Sequence, residues 1–170
     1  MGEIAYENLI FAEYEGGFLP DYFEYEEKDC DLVDFYNEDA KSLQESSMAK
    51  VINVFLQDKL VAYFGYLPAS LAFSQIQPSD KQAKLAHPVL KLGRLLVCRS
   101  QRGKGIGTHI ITKVASIALE ARKIMPLRFI TLDSIPHSIG FYKKLGFIDS
   151  NISPRPDGSK LMYIDINRLV

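Results

Sequence analysis

The sequence predicts an α/β fold in which a mixed central sheet is flanked by helices. Three observations lead there. Residues 51–56 and 60–67 are apolar runs joined by Gln57-Asp58-Lys59, the pattern of a β-hairpin. Beyond residue 89, strand-like runs alternate with helix-like ones, which argues for strands in a mixed sheet with helices on its faces. Between a strand at 89–97 and a long helix running on from Thr108 stands Arg102-Gly103-Lys104-Gly105-Ile106-Gly107. Glycine costs ~1 kcal/mol relative to alanine inside a helix, so glycines at a helix start need a reason.

The elements follow in order. Residues 4–14 mix apolar and aromatic side chains and end at Gly16-Gly17, a first strand and a turn. Residues 18–27 are aromatic and acidic around Pro20 and are expected as a loop. Over 29–44, Leu32, Phe35, Tyr36, Ala40 and Leu43 recur mostly at intervals of three and four behind Asp29 or Asp31 as N-cap, the signal of an amphipathic helix ending before Met48. The second hairpin strand is expected to run past Pro68 toward Phe73, which requires an edge or a bulge at the proline. Residues 79–86 predict a short helix after Pro78, and residues 89–97 the strand that enters the glycine turn.

Downstream, Ile110, Ile111, Val114, Ile117, Ala118 and Ala121 form a broad apolar stripe at helical spacing. A strand at 127–132 follows, then a short helix at 139–145 introduced by Pro136 and Ser138 and stopped by Gly146. Strands at 147–152 and 161–166 close the chain around a loop with Pro154, Pro156 and Gly158. No repeat or dividing linker stands out, so residues 1–170 are expected as a single domain.

Composition sets further bounds. With 47% hydrophobic residues and a mean hydropathy of -0.03, no stretch approaches the roughly 20 apolar residues that span a bilayer. No basic segment followed by an apolar run begins the chain, and the expectation is a cytoplasmic protein that does not enter a membrane. The net charge of -1 gives no global basic field for nucleic acid. Acidic residues dominate residues 3–45, whereas from Lys81 to Lys123 the charged residues are basic except for Glu120. An anionic ligand would be drawn to that second region. Cys30 and Cys98 are too few for a metal cluster and are expected as free thiols, with no metal bound.

The glycine turn points to phosphate, because backbone amides at a helix start bind anions and glycines let a ligand approach them. Two phosphate motifs fail here. A nucleotide P-loop needs Gly-Lys-Ser/Thr, but Lys104 is followed by Gly105; a dinucleotide fingerprint needs glycine where Thr108 stands.

Arg102-Gly103-Lys104-Gly105-Ile106-Gly107, directly after an apolar strand, resembles the Arg/Gln-x-x-Gly-x-Gly/Ala signature of the GNAT superfamily of acetyl-CoA-dependent N-acetyltransferases. Phe141-Tyr142-Lys143-Lys144-Leu145-Gly146-Phe147 resembles that family's second segment, separated from the first by a helix and a strand as the family's topology requires. The resemblance implies the GNAT acyl-CoA N-acyltransferase fold, with acetyl-CoA as donor. It implies that Arg102, Gly103, Lys104, Gly105, Ile106, Gly107 and Thr108 hold the pyrophosphate, and that Leu96 and Val97 pair with the pantetheine arm. It further implies direct attack by an amine, with Tyr142 as the acid near the sulfur; a phenol of pKa ~10 is protonated at neutral pH. For the base, Asp133 is the best carboxylate and His137 an alternative. Cys98 reads as a strand-end residue.

The acceptor is less defined. Gly93-Arg94-Leu95, within residues 88–97, resembles the branch of the superfamily that serves as toxins in bacterial toxin-antitoxin pairs and acetylates aminoacyl-tRNA. Residues 30–40 and 160–165 resemble its first helical segment and last strand. Three readings stay open: a primary amine on a small molecule or peptide, a tRNA-acetylating toxin with an antitoxin partner, and a noncatalytic acyl-CoA-binding protein. Lys81, Lys84, Lys91, Arg94, Arg99, Arg102, Lys104, Lys143 and Lys144 form the basic set that RNA would meet. Relatives often dimerise, so a homodimer is a further expectation.

Overall fold

The computed structural model describes residues 2–72, 75–76 and 86–169. The chain forms two units, one of Met1–Leu67 with Gly93–Thr112 and one of Pro68–Leu92 with Lys113–Val170. The helix expected over 79–86, the reach of the strand to Phe73, and Lys81 and Lys84 of the basic set fall outside the described residues, Ala86 apart.

In the first unit, β1 (Leu9–Glu13) pairs antiparallel with β2 (Lys50–Leu56), and β2 with β3 (Lys59–Leu71). Strand β1 is shorter than the sequence suggests, because Tyr6–Asn8 form a 3-10 turn before it. The hairpin turn has two residues, Gln57 and Asp58, at φ 48° and 62°. Such a left-handed pair matches the twist of the flanking strands. Pro68 lies inside β3 but beyond Tyr66, the last partner of β2, so its missing N–H breaks no β2 rung.

The predicted amphipathic helix is interrupted. α1 (Cys30–Asp34) and α2 (Ala40–Glu45) are joined by a π-turn at Phe35–Asp39, preceded by a 3-10 turn at Glu27–Asp29. Phe35 and Tyr36, both in the predicted apolar stripe, are the buried residues of this π-turn. Asp29 does not cap α1 with its side chain; its carboxylate accepts from the Glu26 amide at 2.8 Å in a capping box. Tyr14, Phe35, Tyr36, Val51, Tyr63 and Leu96 are among the buried core side chains of this unit.

In the second unit, residues of β4 (His87–Val97) pair in parallel with β5 (Phe129–Ser134) from Val89↔Phe129 to Leu92↔Leu132. β5 then pairs antiparallel with β7 (Lys160–Asp165), and β7 with the short β6 (Ile148–Asp149). Val89, Phe129 and Tyr163 pack in its core. Among the described residues the strand order is β1-β2-β3-β4-β5-β7-β6, so parallel and antiparallel pairs share one mixed sheet, as expected. α3 (Ile106–Ala121) buries Ile110, Ile111, Val114 and Ala118 of the predicted stripe, with Ile117 and Ala121 half-buried, and adds Ile106. α4 (Ile139–Lys144) ends at Gly146, φ 92°, where the Gly146 amide donates to Lys143 O and the Phe147 amide to Tyr142 O. That pair of bonds is the helix stop predicted from the glycine.

Candidate active site

The turn between β4 and α3 is built by backbone geometry. The Cys98 amide donates to Val61 O at 2.8 Å, which turns that peptide toward β3. The Val97 carbonyl belongs to the same trans peptide, so it faces the opposite edge. A 3-10 turn at Arg99–Gln101 then leads to Gly103 at φ 74° and Gly105 at φ 85°. Both values lie where an L side chain is strained, so these two glycines are required by the backbone itself. Gly107 stands in the first turn of α3 and is not among the glycines of positive φ, so no such requirement explains it.

The consequence is a run of free donors. The amides of residues 103–108 donate to no acceptor among the described residues, and the ladder of α3 resumes with His109 N to Gly105 O at 3.1 Å. A helix leaves its first amides unpaired, and the turn adds more just before them. Unpaired amides at a helix start favour an anion. The residues present therefore fit the pyrophosphate of acetyl-CoA, on an observation independent of any motif. Thr108 is half-buried beside them, and the Lys104 ammonium donates to Gln101 Oε1 at 3.0 Å.

Sequence reasoning missed the N-terminal segment. The Ile4 amide donates to Lys104 O at 2.9 Å, and His109 Nε2 lies 2.7 Å from Ile4 O, which assigns the proton to that nitrogen. A side chain at Gly105 would meet Glu3 Cγ at 2.9 Å. Nothing local in residues 3–6 signals this contact.

Leu96 is a core residue, 2% exposed. Val97 O accepts from Arg102 Nε at 3.0 Å, so the pantetheine arm expected there finds that carbonyl already engaged. Cys98 is buried, with Sγ 3.4 Å from Ser100 Oγ, while Cys30 is exposed.

In the second unit, Tyr142 is half-buried on α4, with ring centroids 5.0 Å from Phe141 and 5.7 Å from Phe147, both edge-on. Burial pushes its phenol up to about 12, and its hydroxyl has no hydrogen-bond partner among the described residues. The side chain is therefore protonated, and able to donate, at neutral pH. Asp133 on β5 is committed differently: Oδ2 lies 2.8 Å from Lys91 Nζ, and Oδ1 3.2 Å from Arg155 Nη2. His137 is exposed in a 3-10 turn. Among the described residues, no group of His, Cys, Asp and Glu is arranged to hold a metal ion, and no helix is long and apolar enough to cross a membrane.

Much of the basic set is paired. Lys143 meets Asp149 at 2.8 Å, Lys91 meets Asp133 at 2.8 Å, Arg99 and Arg102 face Glu26 at 3.9 and 3.2 Å, and Arg94 lies 4.9 Å from the Phe35 ring centroid.

Comparison with known proteins adds the following. A model of the acetyltransferase (GNAT) family matches residues 8–147. Glucosamine 6-phosphate N-acetyltransferase of Candida albicans is 30% identical over 76 residues, 42% of this chain and 47% of that protein, so the chain spans about half the length of that relative. A bacterial toxin superposes with a TM-score of 0.82 at 18% identity, over 95% of this chain and 92% of the other. The toxin AtaT, solved with acetyl-methionyl-tRNAfMet, superposes with a TM-score of 0.78 at 16% identity, over 95% and 96% of the two chains. A tyrosine-to-phenylalanine mutant of AtaT, bound to acetyl-CoA and the C-terminus of the antitoxin AtaR, superposes at 0.73 with 14% identity over the same shares. At these identities the likeness is one of fold.

Proposed function

This chain belongs to the acetyltransferase (GNAT) family, and from that premise we propose that it is the toxin of a toxin-antitoxin pair, acetylating the amino group of an aminoacyl-tRNA in the cytoplasm. It is an acetyl-CoA-dependent acetyltransferase; what is proposed is the acceptor, the partner and the residue roles. The observation that carries the acceptor is the likeness to AtaT over nearly all of both chains, in a structure that holds an acetylated methionyl-tRNA. The AtaR-bound structure supports an antitoxin as partner.

In this reading the chain works as one N-acetyltransferase domain. The free amides of residues 103–108 take the pyrophosphate. Acetyl-CoA supplies the activated acetyl thioester. The neutral amine attacks the thioester carbonyl, the C–S bond breaks, and Tyr142 gives its phenolic proton to the departing sulfur. The proton released by the amine restores the phenol. Asp133, held between Lys91 and Arg155, anchors this region through its ion pairs.

A second reading, a small-molecule or peptide amine, is favoured by the net charge of -1 and by the ion pairs that occupy many basic side chains. RNA binding draws on unpaired cations. The test is transfer of labelled acetyl from acetyl-CoA to charged tRNAs, glucosamine 6-phosphate and short peptides offered in parallel. Label in aminoacyl-tRNA, with growth arrest on expression, is the expected result. Label confined to a free amine or peptide sinks the tRNA assignment and leaves the acetyltransferase intact.

A further inference from the structure

The arginine that opens the turn is turned away from it. Its guanidinium makes three bonds inside the protein: Nε to Val97 O at 3.0 Å, Nη1 to Glu26 Oε2 at 3.2 Å and Nη2 to Asp29 Oδ2 at 2.6 Å. Asp29 is 6% exposed, and its same oxygen also accepts from the Glu26 amide. A buried carboxylate needs its partner, because an uncompensated charge out of water is strongly unfavourable. Swinging the guanidinium toward a phosphate would strand Asp29.

We propose that Arg102 is a positioning residue for acetyl-CoA, clamped by Glu26 and Asp29, and that this acidic pair makes the turn competent to bind pyrophosphate. The planar fork of arginine joins three elements at fixed angles: the end of β4, the 3-10 turn ahead of α1, and the start of the glycine run. Gly103 and Gly105 give that run a large conformational freedom to lose on binding. Fixing the residue just before them lowers the entropy lost when the amides close on an anion, so the clamp acts on donor affinity. The charge of Arg102 is spent on the protein, and the amides meet the phosphates.

The inference rests on the acetyl-CoA assignment of the turn, and the experiment separates the two. Acetyl-CoA affinity is measured by calorimetry for wild type, Asp29→Asn, Glu26→Gln and Arg102→Gln. Steady-state kinetics compare acetyl-CoA with S-acetylpantetheine, a thioester donor that lacks the pyrophosphate. For Asp29→Asn we expect an acetyl-CoA KM raised about tenfold, the scale of a lost charge-assisted hydrogen bond, with kcat falling less. kcat/KM for S-acetylpantetheine should move less than about twofold, and adding Arg102→Gln to Asp29→Asn should cost little more, because one clamp has already been opened. If Arg102 instead binds phosphate, releasing it from its acidic partners will leave affinity equal or tighter in Asp29→Asn and Glu26→Gln while Arg102→Gln weakens it; that pattern overturns the proposal. An equal loss with both donors overturns it too, as a general folding defect. Glu26→Gln, with a side chain 36% exposed, keeps the test open where Asp29→Asn folds poorly. Wild-type protein that binds no acetyl-CoA removes the donor assignment and this inference with it.

Discussion

Tyr142→Phe removes one oxygen atom and little else. The hydroxyl has no hydrogen-bond partner among the described residues, and the edge-on packing against Phe141 and Phe147 belongs to the ring. Unfolding free energy should therefore stay within about 0.5 kcal/mol of wild type, the usual range for a change that breaks no packing or buried bond. Acetyl-CoA affinity should hold as well. Turnover should fall at least tenfold, about 1.4 kcal/mol of barrier, and acid catalysis is commonly worth more, about 10²–10⁴-fold. A separate sign comes from pH. Desolvation raises the phenol to about 12, so the donor form persists well above the ordinary tyrosine range. Wild-type turnover should then show no loss of an acid near pH 10. Thiol release can be followed with a disulfide reagent, after subtracting the signal from exposed Cys30. Full turnover in the phenylalanine variant, or a wild-type acid limb with a midpoint near pH 10, would refute the role of Tyr142 as donor.

Other outcomes separate the remaining assignments. Gly103→Ala places a side chain at φ 74° with nothing within 4 Å of its Cβ, so calorimetric melting should show a loss of roughly 1–2 kcal/mol from backbone strain alone. Gly107→Ala meets no positive φ and should fold normally, yet lose acetyl-CoA affinity about tenfold if its missing side chain leaves room for the pyrophosphate; unchanged affinity would return that glycine to a packing role. Asp133→Asn breaks contacts to Lys91 and Arg155 and should lower the melting temperature while reducing turnover less than about tenfold; a far larger loss of kcat at normal stability would restore it as the base. Tyr36, which donates to Asn53 Oδ1 at 3.1 Å, is raised to about 12 by burial, so its neutral form favours the folded state. The stability it contributes is complete below the unfolded pKa of ~10 and is lost as pH rises through about 12, a slope that Tyr36→Phe should flatten in alkaline unfolding curves.

The legible parts of this protein are those whose causes are local. Gly103 and Gly105 show in the sequence because a left-handed backbone admits few other residues, and Gly146 stops α4 for the same reason. The stripe of α3 shows because one helix face must be apolar. The Gln57-Asp58 turn lies between runs that could pair in few other ways. The sequence also points to the donor, since those glycines place free amides at a helix start.

The tertiary structure decided which partners each charged group meets there. Arg102 looks like a phosphate ligand by its place beside the glycines, and the two carboxylates it pairs with lie 73 and 76 residues earlier. Asp133 stands at a strand end, the place that suggests a base, and Lys91 and Arg155 reach it from other segments. The π-turn at Phe35–Asp39, and the seating of Ile4 on Lys104, leave no mark in the local pattern. Backbone conformation is set by neighbours along the chain and can be read from them. A long side chain takes the partner that folding brings within reach, so its role is settled only when distant segments meet.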